Sequence, residues 1–285
     1  MAATVGIDLG TTNSLVAVLT PEGPRLIPNA LGHILTPSVV ALDDEDHVLV
    51  GSVAKELQVV RPQRCASLFK RHMGSDWGTQ IGKQTFSAID LSAWVLRSLK
   101  ADAEAFLGES VTQAVVTVPA YFNEDQRRAT MAAGRQAGLQ VDRILNEPTA
   151  AAIAYGLHDR DSEKIAVVID LGGGTFDVSI VDIFEGTLEI RASAGEVFLG
   201  GEDFTTAMVS HVLTSQGMVF ERCEMDEPLR VSRLRRECEL AKRQLARQDV
   251  ASVRMPDAQG QLIDDSPLVE VRVDDFEKWT TSILD

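Results

Sequence analysis

The sequence of 285 residues predicts an α/β protein of two lobes, residues 1–160 and 161–285. Strand-like and helix-like segments alternate in two successive blocks, which is typical of α/β domains. The second block repeats a feature of the first, an apolar run that ends in Asp and is followed by Gly and Thr: "GIDLGTTNS" at 6–14 and "VIDLGGGTFD" at 168–177. The polar stretch "HDRDSEK" (158–164) separates the blocks, so we place the lobe boundary there.

The first block is predicted to hold strands followed by a helix, a strand and two further helices. β-Branched, apolar segments between Gly, Pro and Asn predict strands at "VGIDLG", "SLVAVLT", "PRLIPN" and "SVVALDD". Apolar residues at helical spacing and a closing Gly108 predict a helix over "LSAWVLRSLKADAEAFLG". The buried strand "QAVVTVPA" ends at Pro119, and Asn123 with Gln126 forms a capping-box pattern that starts the next helix. The alanine-rich "TAAAIAYG" predicts a helix that Gly156 ends.

The second block restarts with a strand that runs into a glycine turn, "KIAVVIDLGGGT". The segment "FDVSIVDIFEGTLEIRASAG" predicts a hairpin that turns at Glu185 and Gly186. Two glycines open the predicted helix "GGEDFTTAMVSHVLTSQG", and "EPLRVSRLRRECELAKRQLAR" predicts a long charged helix. The alternating "PLVEVRVDDFEKW" predicts a strand that leads into a helix.

Composition excludes several classes of function. The formal net charge of −15 argues against a general nucleic-acid binder and against a polybasic membrane-surface protein. No apolar run is long enough to span a bilayer, and "MAATVGIDLG" has no signal-peptide pattern, so we expect a cytoplasmic protein. The three cysteines are far apart and the five histidines show no metal-ligand spacing, so neither a disulfide framework nor a zinc site is predicted.

The repeated motif predicts a polyphosphate site. A strand ending in Asp-x-Gly places a carboxylate beside backbone N–H groups that glycine leaves accessible, so successive N–H groups can surround a phosphate. The two aspartates, Asp8 and Asp170, offer hard oxygen ligands for Mg²⁺. One such loop alone would be an ordinary turn. Two loops, each with Asp before and Thr after, favour nucleotide binding.

The doubled motif resembles that of the actin-like ATPases, which include actin, the sugar kinases and the DnaK-type heat-shock chaperones. Six segments resemble the chaperone ATPase domain, in the same order and over nearly the whole chain: "GIDLGTTNS", "LFKRHMGS", "VTVPAYFNEDQR", "NEPTAAAIAYG", "DLGGGTFDVSI" and "FLGGEDF". "LFKRHMGS" and "SAGEVFLGGEDFT" are most similar to the HscC branch. The resemblance implies an actin-like, ribonuclease-H-like fold with two lobes around a nucleotide cleft. The family's domain continues beyond "FEKWTTSILD", so the second lobe is expected to be incomplete at its C-terminus.

The resemblance also assigns roles to matching positions. The two phosphate loops would be Gly10, Thr11, Thr12 and Asn13, and Gly172, Gly173, Gly174 and Thr175. The catalytic groups would be Lys70, Glu147, Asp177 and Thr175, and the metal-side carboxylates Asp8 and Asp170. Gly200 and Gly201 would approach the phosphates, and Glu239, Lys242 and Arg243 would cover the ribose and adenine. The implied ligands are ATP, ADP and Mg²⁺.

The implied function is that of a chaperone ATPase domain, which binds and hydrolyses ATP to drive peptide capture and release in its parent. The implied partners are unfolded peptides and a J-domain co-chaperone, with no nucleic acid and no membrane. Pro119 and Arg127 would relay the nucleotide state to a peptide-binding domain, Arg127 from the surface of its helix. Phe198 stands where the family usually has His, and Ala246 where it usually has Ser. This fragment, lacking part of the adenosine wall, is expected to be a weak or inactive ATP hydrolase.

Several alternatives stay open at this point. Lys70 with Arg71 could be a solvated basic pair, Asp177 could only hold a turn, and Glu147 could only cap a helix. The charged helix "LRRECELAKRQLAR" could simply be a solvated face. At the level of function, a sugar or small-molecule kinase shares both phosphate loops, and an actin-like filament protein is a third reading. A kinase would need a carboxylate base beside a sugar pocket, and no segment supplies one.

Overall fold

The computed structural model describes residues 3–156, 163–184 and 187–284. In the first part of the chain the elements are β1 (Ala3–Asp8), β2 (Asn13–Thr20), β3 (Gly23–Ile27), β4 (Thr36–Pro37), β5 (Val40–Leu42), β6 (Val48–Val50), α1 (Ser52–Val60), β7 (Cys65–Ala66), β8 (Gly78–Ile81), β9 (Gln84–Ser87), α2 (Ala88–Leu107), β10 (Val111–Val118), α3 (Glu124–Gln136), β11 (Gln140–Asn146) and α4 (Glu147–Ala154). They are followed by β12 (Lys164–Leu171), β13 (Phe176–Phe184), β14 (Thr187–Glu196), α5 (Gly201–Ser215), α6 (Phe220–Asp226), α7 (Pro228–Leu245), β15 (Val250–Arg254), β16 (Leu268–Arg272) and α8 (Val273–Leu284). The predicted turn at Glu185 and Gly186 lies outside the described residues, as do residues 158–162 of the predicted boundary.

The first sheet has the strand order β11-β10-β1-β2-β3, and β4 also pairs with β2. Strands β1, β10 and β11 run parallel, so their carboxyl ends meet at one edge. Asp8 ends β1, and Asn146 ends β11 directly before Glu147. In α/β sheets ligands bind at this kind of edge, which is therefore where site residues are expected.

Helices α2 and α3 cover this sheet and share its apolar core. Val5 and Ile7 of β1 and Leu96 of α2 are almost fully buried in it. Both helices begin with a capping box. In α2 it joins Ser87 to Asp90, and in α3 the predicted pairing of Asn123 with Gln126 is confirmed. Such caps satisfy N–H groups that lack a partner within the helix.

The second sheet is an antiparallel meander in the order β12-β13-β14. One of its faces packs on α4, where Val181 and Ile183 are fully buried against Ala152. On β12 the side chains of Ile165 and Val167, which point to the other face, are exposed. The predicted strand and hairpin are confirmed over the described part of this segment.

A separate core lies beyond the second sheet, where α5, α7 and α8 pack on the hairpin of β15 and β16. Met208, Leu234 and Val253 have no solvent exposure there. The predicted helices α5 and α7 and the strand that leads into α8 are confirmed, whereas α1 and α6 were not predicted. Within the described ranges, no helix combines the length and the apolar character needed to cross a membrane.

Candidate functional site

The two repeated motifs form hairpins of the same length. Across the first hairpin Asp8 lies opposite Leu15, and across the second Asp170 lies opposite Asp177, so the two residues of each pair are seven positions apart. The turn of the second hairpin is closed by the Gly172 N–H, which donates to the Thr175 carbonyl at 2.9 Å. The sequence repeat therefore corresponds to a repeat of backbone geometry.

The tips of the two hairpins are in contact. A Cβ added at Gly173 would overlap the side chain of Thr12, and one added at Gly174 would overlap the side chain of Thr11. Glycine at these two positions allows the loop of the second hairpin to lie directly against the loop of the first. The structure thus brings both predicted phosphate loops, residues 10–13 and 172–175, to one place.

Ser38 supports the first loop, a role that no sequence pattern predicted. Its hydroxyl donates to the Gly10 carbonyl at 2.7 Å, and its backbone N–H donates to the Thr12 carbonyl at 2.9 Å. The hydroxyls of Ser14 and Ser38 also lie 2.9 Å apart in the interior. These bonds engage the loop's carbonyls, which leaves its N–H groups as the available donors.

The beginning of α5 packs on the second loop. The Gly201 N–H donates to the Gly172 carbonyl at 3.0 Å, and the Glu202 N–H donates to the Gly173 carbonyl at 2.8 Å. A Cβ at Gly200 would lie 2.5 Å from the amide nitrogen of Gly174, so the backbones approach closely. A helix N-terminus favours anions, and this one lies beside the second phosphate loop.

Four carboxylates gather below the loops: Asp8, Glu147, Asp170 and Asp177. The Thr117 hydroxyl donates to Asp8 Oδ1 at 2.8 Å. Burial and the charge of Asp8 raise the pKa of Asp170, with Lys70 acting in the opposite direction. Burial, followed by the charges of Glu147 and Asp170, raises the pKa of Asp177 to about 7. Carboxylates whose charges raise the pKa of a neighbour in this way form a region of negative potential that a cation would relieve.

Lys70 supplies a cation to this cluster. It lies in a 3-10 turn, Phe69–His72, that follows Leu68 in the uncommon left-handed conformation (φ 58°). Its Nζ donates to Glu147 Oε1 at 2.9 Å, and the residue is only 4% exposed. Burial raises the pKa of Glu147, and the ammonium of Lys70 opposes that rise.

Several buried polar atoms at the site lack a hydrogen-bond partner among residues 3–156, 163–184 and 187–284. They are both carboxylate oxygens of Asp177, the hydroxyl of Thr12 and the hydroxyl of Tyr121. Buried polar groups normally have partners, so these atoms indicate space for a ligand or water. Within the same ranges no three potential ligand side chains form a ready-made metal cage. Mg²⁺ usually binds through one or two carboxylates, water and substrate phosphates.

The three residues expected at the adenosine side, Glu239, Lys242 and Arg243, form one network with the first turns of α5. Lys242 Nζ donates to the Gly201 carbonyl at 2.6 Å and to the Thr205 hydroxyl at 2.7 Å. Glu239 accepts from Lys242 Nζ at 2.6 Å and from Arg243 Nε at 2.8 Å. Hydrogen bonds and the charge of Lys242 lower the pKa of Glu239 against the opposing effect of burial. The network fixes α7 against the first turn of α5.

The structure decides most of the local alternatives. The solvated basic pair is wrong, because Lys70 is buried and the Arg71 side chain is 8% exposed. A turn-holding role for Asp177 is wrong as well, since its oxygens have no partner among the described residues. Glu147 opens α4, whose cap residue is Asn146, but its side chain is bonded to Lys70.

The expected surface position of Arg127 is also wrong. Its guanidinium is half-buried and donates to the carbonyls of Phe122 and Ala120 and, at 2.7 Å, to Asn146 Oδ1. Since Asn146 directly precedes Glu147, Arg127 connects the turn after Pro119 to the end of β11. The sequence alone does not show this contact. Arg127 and Asn146 are only 19 positions apart, but they meet through the parallel pairing of β10 with β11.

Comparison with known families agrees with this architecture. A family model described as Hsp70 protein matches residues 4–265. Proteins of that family are chaperone ATPases, and their nucleotide-binding domain has the actin-like fold, with which the α/β architecture and sheets described above are consistent. The match covers most of the sequence, so the chain belongs to the Hsp70 family and carries its nucleotide-binding domain.

Proposed function

We propose that the chain binds the Mg²⁺ complex of ATP between its two hairpins, residues 8–15 and 170–177, and transfers the terminal phosphoryl group to water, with the weak activity expected of this chain. The contact between the hairpin tips is the observation that carries this proposal. Two glycine-rich turns that meet at Gly173 and Gly174 offer N–H groups to a polyphosphate from both sides. The lobes would be residues 1–160 and 161–285, with the nucleotide between them.

The proposed mechanism assigns the charge stabilisation to Lys70. Phosphoryl transfer to water depends on positioning and on neutralising charge at the phosphoryl oxygens. Lys70 is a buried ammonium held by Glu147, so it can face a terminal phosphate without reorganising. Mg²⁺, held beside Asp8 and Asp170, would neutralise phosphate charge when bound.

Asp177 is proposed to take the proton from the attacking water. Its carboxylate oxygens are buried without partners, and its pKa of about 7 suits proton transfer near neutral pH. The Thr175 hydroxyl, in the same loop, is proposed to orient the water or the phosphate. Glu239, Lys242 and Arg243 are proposed to face the ribose and adenine, and Gly200 and Gly201 the phosphates, through the packing of α5 on the second loop.

The experiment is calorimetric titration of MgADP followed by single-turnover hydrolysis of MgATP by the chain. The proposal expects binding that requires Mg²⁺, and release of phosphate without an acceptor other than water. Transfer of phosphate to added sugars, with negligible hydrolysis, would instead support a sugar or small-molecule kinase. Absence of nucleotide binding in the presence of Mg²⁺ would reject the proposal.

We further propose that the parent protein is a DnaK-type chaperone of the HscC branch, located in the cytoplasm, which uses ATP to capture and release unfolded peptides with a J-domain co-chaperone. The segments "LFKRHMGS" and "SAGEVFLGGEDFT" support the branch. A pull-down that compares an unfolded peptide with sugars, using the full-length parent, tests the peptide cycle. We expect the parent to retain the peptide, and ATP to abolish this retention. If neither the peptide nor the sugars are retained, the proposal is contradicted.

A further inference from the structure

The guanidinium of Arg71 joins the turn that carries Lys70 to two elements of the second lobe. Its Nε donates to the Gly174 carbonyl at 2.7 Å. Its terminal nitrogens donate to both carboxylate oxygens of Asp203 in the first turn of α5, Nη1 at 3.2 Å. We infer that Arg71 is a positioning residue of the phosphate site, which fixes the second phosphate loop against the Lys70 turn. The inference rests on the proposed function.

The bond to Gly174 fixes the direction of one peptide group in the second loop. The carbonyl and the N–H of a trans peptide point in opposite directions. Because the Gly174 carbonyl points to Arg71, the N–H of Thr175 points to the other side of the loop. Arg71 therefore controls which face of this peptide group the loop presents to a ligand.

The bond to Asp203 controls the charge at the start of α5. Asp203 lies in the first turn of that helix, close to the Gly200 and Gly201 backbone that packs on the second loop. An unpaired carboxylate there would repel a polyphosphate. The guanidinium of Arg71 neutralises that carboxylate by a two-point ion pair, a geometry that arginine forms and lysine does not.

Adjacent residues of one turn thus connect two parts of the site. Lys70 reaches Glu147 at the end of β11, and Arg71 reaches Gly174 in the second loop. A phosphoryl group held by the second loop can meet the Lys70 ammonium only if this turn stays at a fixed distance from the loop. Arg71 provides that connection, although it does not itself face the carboxylate cluster.

This ion pair is less exposed than an ordinary surface pair, with Asp203 27% exposed, so removal of Arg71 should have a larger effect. The Arg71 side chain is 8% exposed, and the ring of Phe198 lies 5.6 Å from its guanidinium. A second ion pair between the two parts of the chain, Arg236 with Glu56, has side chains that are 41% and 65% exposed. Exposed pairs contribute little, whereas removing one partner of a buried pair leaves an uncompensated charge. Arg236 is therefore a matched control.

The first test needs no nucleotide. Hydrogen exchange of the segment 168–177 is compared in the unmodified chain, Arg71→Ala, Asp203→Asn and Arg236→Ala. The inference expects about tenfold faster exchange of second-loop amides in Arg71→Ala, a smaller increase in Asp203→Asn and no change in the control. Unchanged exchange in Arg71→Ala would overturn the inference, whatever the activity of the chain.

The second test measures coupling in single-turnover hydrolysis of MgATP. Arg71→Ala and Asp203→Asn should each slow hydrolysis by about tenfold or more. Arg71→Ala leaves the Asp203 carboxylate unpaired and should also weaken MgADP binding, whereas Asp203→Asn removes that charge and should change MgADP affinity by less than about threefold. The double variant should be no slower than Arg71→Ala, because both of its substitutions interrupt the same ion pair. Arg71→Lys should not restore the rate, because lysine does not form the two-point pair with Asp203. Fully additive effects, or a normal rate in Arg71→Lys, would overturn the inference. If the unmodified chain does not bind MgATP, the proposed function fails, and the exchange measurement still decides the role of Arg71.

Discussion

Asp170 lies opposite Asp177 across the second hairpin, so two carboxylates face each other on neighbouring strands at the floor of the site. Like charges placed directly opposite in a sheet are destabilising. Burial adds to the effect, since Asp177 is 3% exposed and neither of its oxygens has a hydrogen-bond partner among the described residues. The ligand-free protein therefore carries a local cost at this position.

That cost predicts a pH dependence of stability. The folded pKa of Asp177 is raised from 3.8 to about 7, so between these values the folded chain binds more protons than the unfolded chain. This group then makes the free energy of unfolding fall as pH rises from about 4 to 7. Asp177→Asn should stabilise the ligand-free chain at about pH 8 by on the order of 2 to 4 kcal/mol and change little at about pH 4.

Urea unfolding at the two pH values measures this effect. Asp76→Asn, which changes an exposed carboxylate, serves as control and should leave the pH dependence unchanged. A variant Asp177→Asn that is destabilised at the higher pH would show that the carboxylate is not strained in the ligand-free chain.

The contact between the hairpin tips predicts a strong effect of a single methyl group. Gly174→Ala places a Cβ inside the volume of the Thr11 side chain, so the two loops must separate. We expect the affinity for MgADP to fall by about tenfold or more, since the N–H groups of both loops can bind the phosphates together only at this spacing. Gly6→Ala is the control, because a Cβ there meets only the Ala17 carbonyl oxygen, at 4.0 Å. Calorimetry that finds equal affinities for both variants would contradict the paired-loop site.

The contact of Arg127 with Asn146 predicts an effect on chemistry. Arg127→Ala removes the bond that holds the residue before Glu147, so Glu147 and its partner Lys70 should lose their fixed orientation. We expect single-turnover hydrolysis to fall by about tenfold while nucleotide affinity is retained. The neighbouring Arg128 is 68% exposed and pairs only with Glu124 and Asp125 among the described residues, so Arg128→Ala should not change the rate. Equal rates for both variants would limit Arg127 to a structural or relay role.

Lys70→Ala tests the proposed charge stabilisation directly. Loss of a buried ammonium at a phosphoryl-transfer site should reduce hydrolysis by about a hundredfold or more, with much of the nucleotide affinity retained. Lys83→Ala changes an exposed lysine and should behave as the unmodified chain. A normal hydrolysis rate in Lys70→Ala would remove this residue from the mechanism.

Local patterns in the sequence predicted the elements whose causes are local. The capping box of Asn123 and Gln126 was predictable because its partners are three residues apart. The glycine turn after Asp170 was likewise predicted from its own residues, whereas the antiparallel pairing that makes each phosphate loop the tip of a hairpin was not predicted. Helix α1 was not predicted, because its stability depends on packing against other elements. One of them, α7, is distant in the sequence, and the other, β5, is short.

Arg71 and Ser38 show the limit of the same approach within the site. As part of "LFKRHMGS", Arg71 has the pattern of a solvated basic residue, and its partner Asp203 is 132 positions away. Ser38 supports Gly10 from 28 positions away, through a serine hydroxyl with no distinctive spacing. Contacts of this kind depend on the pairing of whole strands and lobes, so only the folded chain reveals them.

A crystal structure of the chain with MgADP would test the central claim most directly, because the claim concerns where the phosphates lie. We predict that the diphosphate lies between residues 10–13 and 172–175, within hydrogen-bond distance of N–H groups from both loops, with the Mg²⁺ on the side of Asp8 and Asp170. A nucleotide bound to only one loop, or on another surface of the chain, would contradict the account.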